Sequence, residues 1–363
     1  MVGKRKGMLH GEFFVGPNIL FLTGDDYKRH RRLANLAFSG SMPLELFGQM
    51  TRKMFDWIDV NGKTEIYNLA NKMTLDIIGK VAFGFDFNAL DKNSSSFVDK
   101  YYSVMDSVTE QPFFFLLPFL ERKFLWMFPR RKQAHQDLKD LLHLLNEIIE
   151  EKRKQVREQG ASTLPDKDKD LLTLMLESEM GRSGVGLSNE ELRSNMCAFF
   201  LAGHDSTAVS ISAVVYYLAL HQDIQRKARE EAIGVLGDDG KDTIPTMEQT
   251  KKFAYIDMII KESLRLRPPV PMGVSRVAQE DCDIDGVFLP KGTLFQLDYW
   301  EIQHSPQVWK DPKAFRPERF APGGEAEQQD GIAWLPFSAG PRACLGQNMS
   351  LNEQRVALPM LCK

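Results

Sequence analysis

The run "SNEELRSNMCAFFLAGHDSTAVSISAVVYYLAL", which begins at Ser188, is apolar on nearly every face of a helix. A helix without a polar face has no side to turn to water, so it must pass through a core built by its neighbours. Ser188 and Glu191 make the S-x-x-E pattern of a capping box, which marks where it starts. A chain of 363 residues, 43% hydrophobic and 26% charged, has the globular composition and the length to supply that core.

The rest of the chain reads as further helices with a smaller β part. Helical patterns cover "DDYKRHRRLANLAFS" after Gly24, the amphipathic run from Tyr67 to Phe83, and a long charged run from about Arg131 to Gln159. A second capping box, Thr246 with Gln249, predicts one helix through "QTKKFAYIDMIIKESLRLR", stopped by Pro268 and Pro269. The stretch "DCDIDGVFLPKGTLFQLD" alternates and carries turn signals at Asp285-Gly286 and Pro290-Lys291-Gly292, as a small antiparallel sheet does. "EQGASTLPDKDKD" reads as a surface loop. No internal repeat is visible.

Several function classes are excluded. Lys and Arg number 46 against 49 Asp and Glu, a net charge of −3, which gives no pull toward nucleic acid. Cys197, Cys282, Cys344 and Cys362 form no CxxC pair, so neither a disulfide framework nor a zinc site is indicated. "MVGKRKGMLHGEFFVG" lacks the apolar core of a signal peptide, and no run reaches the ~18 uninterrupted apolar residues of a membrane span. The aromatic segment "QPFFFLLPFLERKFLWMF", interrupted by Pro112 and Pro118, has two readings: a loop packed on the core, or a patch that meets a membrane or lines a substrate entrance.

Three places carry chemistry. In "PFSAGPRACLGQ", Cys344 lies between glycines just ahead of the helical run "NMSLNEQRVALPMLC". Free amides and the positive end of a helix favour a thiolate there, and Arg342 adds charge. A lone loop cysteine is more often a small buried residue, so its company decides. In "KESLRLRPP", Glu262 and Arg265 share a helical face, and "FRPERF" offers Arg319 as a second partner; the alternative is an exposed pair worth under ~1 kcal/mol. In "AGHDSTA", Asp205 and two hydroxyls sit within the apolar helix and need partners. His204, Asp205 and Ser206 are not a hydrolytic triad, because consecutive helical residues point about 100° apart.

Together these stretches resemble the cytochrome P-450 haem-thiolate monooxygenases. "FSAGPRACLG" matches F-x-x-G-x-R-x-C-x-G at every fixed position, "ESLR" matches ExxR, "FRPERF" the following arginine motif, and "AGHDST" the oxygen-binding kink. The resemblance implies a mainly α, multi-helical cytochrome P-450 fold with a small β-sheet portion, incomplete at both termini, as a single partial domain over residues 1–363. It implies haem b as cofactor, with Cys344 as axial iron ligand, Phe337 packed on the ligand loop, and Gly340 and Gly346 shaping that loop. Arg342, Arg276 and Arg31 would pair with haem propionates, and Tyr27 stands where the family usually places a tryptophan. Ala202 and Gly203 would leave room for dioxygen. Asp205 and Ser206 would be the acid and alcohol of proton delivery, with Thr207 one place after the usual threonine. Glu262, Arg265 and Arg319 would form a structural triad.

The expected activity is insertion of one oxygen atom of O2 into a small apolar, lipid-like substrate, with electrons from an NADPH-dependent flavoprotein reductase. The rivals are a truncated non-catalytic haem-binding remnant or regulatory form, and a helical scaffold without cofactor. The family analogy places the chain on the cytosolic face of the endoplasmic reticulum membrane, with peripheral contact through Phe113 to Phe119.

Overall fold

The computed structural model describes residues 8–14, 16–38, 42–58, 63–91, 96–111, 113–159, 169–180, 186–329 and 332–363. Most of the expected loop "EQGASTLPDKDKD" (160–168) and Pro112 lie outside the described residues. The chain divides into two compact units, residues 1–205 and 206–363, with the boundary inside the helix Asn189–Leu220.

The first unit is helical. Its larger elements are Gly24–Phe38, Leu44–Phe55, Ile66–Ile78, Ser96–Thr109, Pro129–Gln159, Leu171–Met180 and the first half of Asn189–Leu220. The amphipathic run ending at Phe83 finishes in a π-helical turn, Gly79–Phe83, which nothing in its hydrophobic period announces. Phe200 is the hub of the core: its ring lies 4.8 Å from Phe87, 5.0 Å from Tyr101, 5.6 Å from Phe97 and 5.8 Å from Phe83. These spacings suit edge-to-face and offset packing.

The capping box forms as its sequence demands. Glu191 N donates to Ser188 Oγ at 3.2 Å, and Ser188 N donates to Glu191 Oε2 at 2.8 Å. Arg29 and His30 of Gly24–Phe38 also meet the Glu191 carboxylate. Burial opposes its ionisation, but donation from Arg29, Ser188 and His30 outweighs that and lowers it to about 2. By length and composition alone the helix Asn189–Leu220 could cross a membrane. Residues 194–200 are all buried in protein, the property of a core helix.

In the aromatic segment the second proline starts a helix instead of breaking one. Short helices span Phe113–Leu116 and Pro118–Lys123, with Pro118 at the first position, where its missing N–H has no helical acceptor to serve. Phe114 is fully buried, whereas Phe113, Phe115, Leu117, Phe119 and Met127 are exposed, Leu116 at 82% and Trp126 at 72%. Phe114 therefore anchors the segment to the core, while most of its other large apolar side chains are exposed.

The second unit holds the remaining half of the central helix, Gln222–Leu236, Ala254–Leu266, Tyr299–His304 and Gln347–Cys362. The single helix expected from Thr246 is two. The capping box is present, but it opens only Met247–Thr250; after a break at residues 251–253 a new helix runs Ala254–Leu266. The second start is capped from a distance, because Glu231 of Gln222–Leu236 accepts from Tyr255 N (2.7 Å) and Ile256 N (2.8 Å).

The β part is two separate two-stranded sheets. β1 (Arg276–Val277) pairs antiparallel with β4 (Leu294–Phe295), and β2 (Cys282–Ile284) with β3 (Val287–Leu289). Asp285 and Gly286 join β2 to β3 with φ of 50° and 81°, the two positive values that a type I′ turn requires.

Candidate active site

The cysteine loop lies in the second unit. Cys344 is exposed, its N–H donates to Phe337 O at 2.9 Å, and the helix Gln347–Cys362 begins three residues later, with Gly346 as its N-cap. Ser338 (φ 59°) and Gly340 (φ 73°) turn the chain through left-handed conformations, and Tyr299 Oη holds Ser338 Oγ at 2.8 Å. Phe337 and Arg342 are half-buried. This geometry presents a thiol outward beside the first-turn amides of a 16-residue helix, where the anion is favoured.

Behind the loop, Glu262, Arg265 and Arg319 meet in full burial. Arg265 grips Glu262 with Nε (2.7 Å) and Nη2 (2.9 Å), while Arg319 Nε (3.2 Å) and the Arg316 backbone N–H (2.9 Å) donate to Oε1. Of the remaining guanidinium donors, those of Arg265 reach the carbonyls of Gln303 (2.7 Å) and Pro312 (2.9 Å), while Arg319 gives one to Asp311 O (2.6 Å) and one to the Glu325 carboxylate. The Arg265 guanidinium also lies 5.1 Å from the Trp309 ring centre. A buried bidentate pair in which both carboxylate oxygens are bonded is a fold-holding network.

Along the central helix residues 201, 203, 205 and 206 are half-buried and Ala202 is exposed, while His204 among them is buried. Gly203 is explained by packing: a Cβ there would fall 2.6 Å from Ile78 Cδ1. Its neighbours diverge. His204 is buried; its Nδ1–H donates to Phe200 O (2.6 Å) and its Nε2 accepts from Tyr101 Oη (3.2 Å). Burial lowers its affinity for a proton, so the ring is neutral. Asp205 Oδ1 instead accepts from Tyr67 Oη (2.6 Å) and Asn71 Nδ2 (3.2 Å). The hydrolytic triad is thus absent in space as well as in pattern. Ser206 is half-buried. Thr207, buried, donates to Ser350 Oγ (3.0 Å), and one turn on Ser210 donates to Gln354 Oε1 (2.8 Å), tying the central helix to Gln347–Cys362.

Tyr27 is buried in Gly24–Phe38, and Arg31 of that helix donates through Nε to Asn35 Oδ1 at 3.0 Å. Arg276 on β1 is half-buried and makes no ion pair among the described residues. Tyr67, Asn71, Ser350 and Gln354 went unmarked in the sequence. The usable signal for the last two was a pair of polar positions four apart on an otherwise apolar helix face.

Comparison with known proteins gives these features a family. The cytochrome P450 family model matches residues 3–362. Cytochrome P450 4X1 of Rattus norvegicus is 32% identical over 358 residues, spanning 96% of this chain and 69% of that protein. Cytochrome P450 4A7 of Oryctolagus cuniculus is 31% identical over 360 residues, spanning 96% and 68%. The crystal structure of the cytochrome P450DA heme domain superposes with a TM-score of 0.81 at 22% identity, covering 97% of this chain and 74% of that one, a likeness of fold. The chain belongs to the cytochrome P450 family. It is a haem-containing monooxygenase that uses O2, a substrate and a redox partner.

The second unit fits that cofactor on its own chemistry. The exposed Cys344 lies in the same unit as the half-buried Arg276, which makes no ion pair among the described residues and sits on β1 beside the exposed apolar residues Val277 and Leu294. That set complements a flat apolar ring with carboxylates at its edge.

Proposed function

We propose that this chain, as one cytochrome P450 domain over residues 1–363, is a haem-thiolate monooxygenase acting on lipid-like substrates, with Cys344 as the axial iron ligand. The observation that carries the reading is the exposed Cys344 thiol in a glycine-turned loop at the start of Gln347–Cys362. Haem, when bound, supplies the binding and activation of O2. The protein's part is to hold and protonate. Cys344 gives up its proton beside the helix amides, and Phe337, Gly340 and Gly346 shape its loop. With haem bound, Arg276, Arg342 and Arg31 would pair with its carboxylates, and Tyr27, one turn before Arg31 on the same helix, would pack beside them. Ala202 carries no bulk that would crowd a small ligand, and Gly203 lets its helix close on Ile78. Asp205 passes protons through its carboxylate and Ser206 through its hydroxyl, while Thr207, committed to Ser350, positions the helix.

The outward aromatic segment supports the substrate and the location. Phe113 to Phe119, continued by Trp126 and Met127 and flanked by Arg122, Lys123 and Arg130, suits contact with lipid and anionic headgroups. We place the chain on the cytosolic face of the endoplasmic reticulum, with an NADPH-dependent flavoprotein reductase as electron donor. The test is spectroscopic. Haem-reconstituted protein, reduced under carbon monoxide, is expected to show the red-shifted Soret band of thiolate ligation, and Cys344→Ala to abolish it. A histidine-type band, or a band that survives the substitution, overturns the assignment.

A further inference from the structure

Asp205 is held away from its own helix. Its Oδ1 takes two donors from Ile66–Ile78: Tyr67 Oη at 2.6 Å and Asn71 Nδ2 at 3.2 Å. The two differ in what lies behind them. Asn71 is 4% exposed, and its carbonyl accepts from Tyr102 Oη at 2.7 Å, which fixes the amide with its NH2 toward Asp205 and makes it a rigid anchor. Tyr67 stands in the first turn of its helix and is 42% exposed. Its hydroxyl thus has the carboxylate on one side and water within reach. His204, the adjacent titratable group, is spent on Phe200 O and Tyr101 and has no route outward.

We propose that the Tyr67 hydroxyl is the solvent-side relay that hands protons to Asp205. This rests on the reading of Asp205 as the proton-passing acid and adds where its protons come from. In each transfer the Tyr67 Oη–H bond breaks as its proton joins Asp205 Oδ1, and in the same event a hydronium ion of the adjoining solvent breaks one of its O–H bonds to give a proton to Oη and is left as water. No electrons change hands, and the phenol is neutral before and after. The concerted course is required, because burial, the Asp205 bond and the charge of Asp106 push the Tyr67 phenol far above its ordinary range, so a free phenolate does not accumulate. Tyr67 is a positioning and relay residue, acting through Asp205.

The test uses the haem-loaded full chain with an added flavoprotein reductase and dodecanoate as the probe. Asp205→Asn and Tyr67→Phe are each expected to slow NADPH-linked oxygen consumption about a hundredfold, at the low end for loss of a proton-transfer group, and to enlarge the solvent deuterium isotope effect. The double variant should be no slower than Asp205→Asn alone. Asn71→Ala should leave the isotope effect unmoved. Independently of turnover, fluorotyrosine placed at position 67 of the resting protein should shift its fluorine resonance on Asp205→Asn and on transfer from H2O to D2O. Parental rate and isotope effect in Tyr67→Phe beside a slow Asp205→Asn, a silent fluorine resonance, or an equal isotope response in Asn71→Ala overturns the relay. Parental behaviour of Asp205→Asn itself overturns instead the reading of Asp205 as the acid.

Discussion

Two buried carboxylates, Glu262 in the second unit and Glu121 in the first, are each gripped by an arginine that also packs on an aromatic ring, yet they are finished differently. Glu262 takes donors on both oxygens, and the partner arginines use their spare N–H groups on backbone carbonyls and, from Arg319, on the Glu325 carboxylate. Glu121 takes Leu9 N (2.9 Å), Arg131 Nε (2.8 Å) and His135 Nε2 (2.8 Å) all on Oε1. Among the described residues its Oε2 and Arg131 Nη2 have no hydrogen-bond partner. The Arg131 guanidinium stands 4.6 Å from the Phe114 ring, beneath the outward-facing aromatic segment. A network closed on all sides tolerates no loss, whereas one with open valences has already given up part of its gain. Glu353 extends the series, being 1% exposed with no partner for Oε1.

The comparison breaks first at its closed end. Glu262→Gln should cost about 3–5 kcal/mol, because it strands Arg265 in the core and leaves Arg319 with Glu325 alone. A thermal melt showing a loss under about 1 kcal/mol would mean that the network is dispensable. Glu121→Gln comes second, at about 2–3 kcal/mol near neutral pH. Burial opposes ionisation of Glu121, but His135, Arg131 and Leu9 N lower it to about 2 from 4.5. A depressed carboxyl stabilises the fold above its unfolded value and loses that contribution as pH falls toward about 2, so the variant should flatten this acid limb in denaturant titrations.

Glu353 should respond with the opposite sign. Burial raises it to about 8 from 4.5, so the folded state keeps a proton that the unfolded state releases, and stability should fall as pH climbs across that interval. Glu353→Met should therefore stabilise by about 1–2 kcal/mol at pH near the top of the interval and less near its foot, read from midpoints at the two pH values. The smallest effect is expected from Thr207→Val, about 1 kcal/mol for one hydrogen bond to Ser350, with the carbon monoxide band unchanged. Loss of that band would make Thr207 part of the cofactor site and not a helix tie.

What the sequence made legible was local. The capping boxes at Ser188 and Thr246, the Asp285-Gly286 turn and the Glu262–Arg265 spacing all specify geometry within a few residues, and each is found as written. Arg319, 57 residues from Glu262, was reached only through a recognised motif. Contacts between distant stretches left no such trace. Tyr67 meets Asp205 across 138 positions and Leu9 meets Glu121 across 112, and neither partner is an unusual residue in its own segment. The break at residues 251–253 was missed for the same reason, since the capping carboxylate, Glu231, lies upstream on another helix.

That remote cap has a consequence for how the chain tolerates change. With Glu231 seizing the amides of Tyr255 and Ile256, the phase of Glu262 and Arg265 is set from outside the linker that precedes them. A residue gained or lost between Thr250 and Phe253 would be absorbed as slack there, leaving the pair in register two turns downstream.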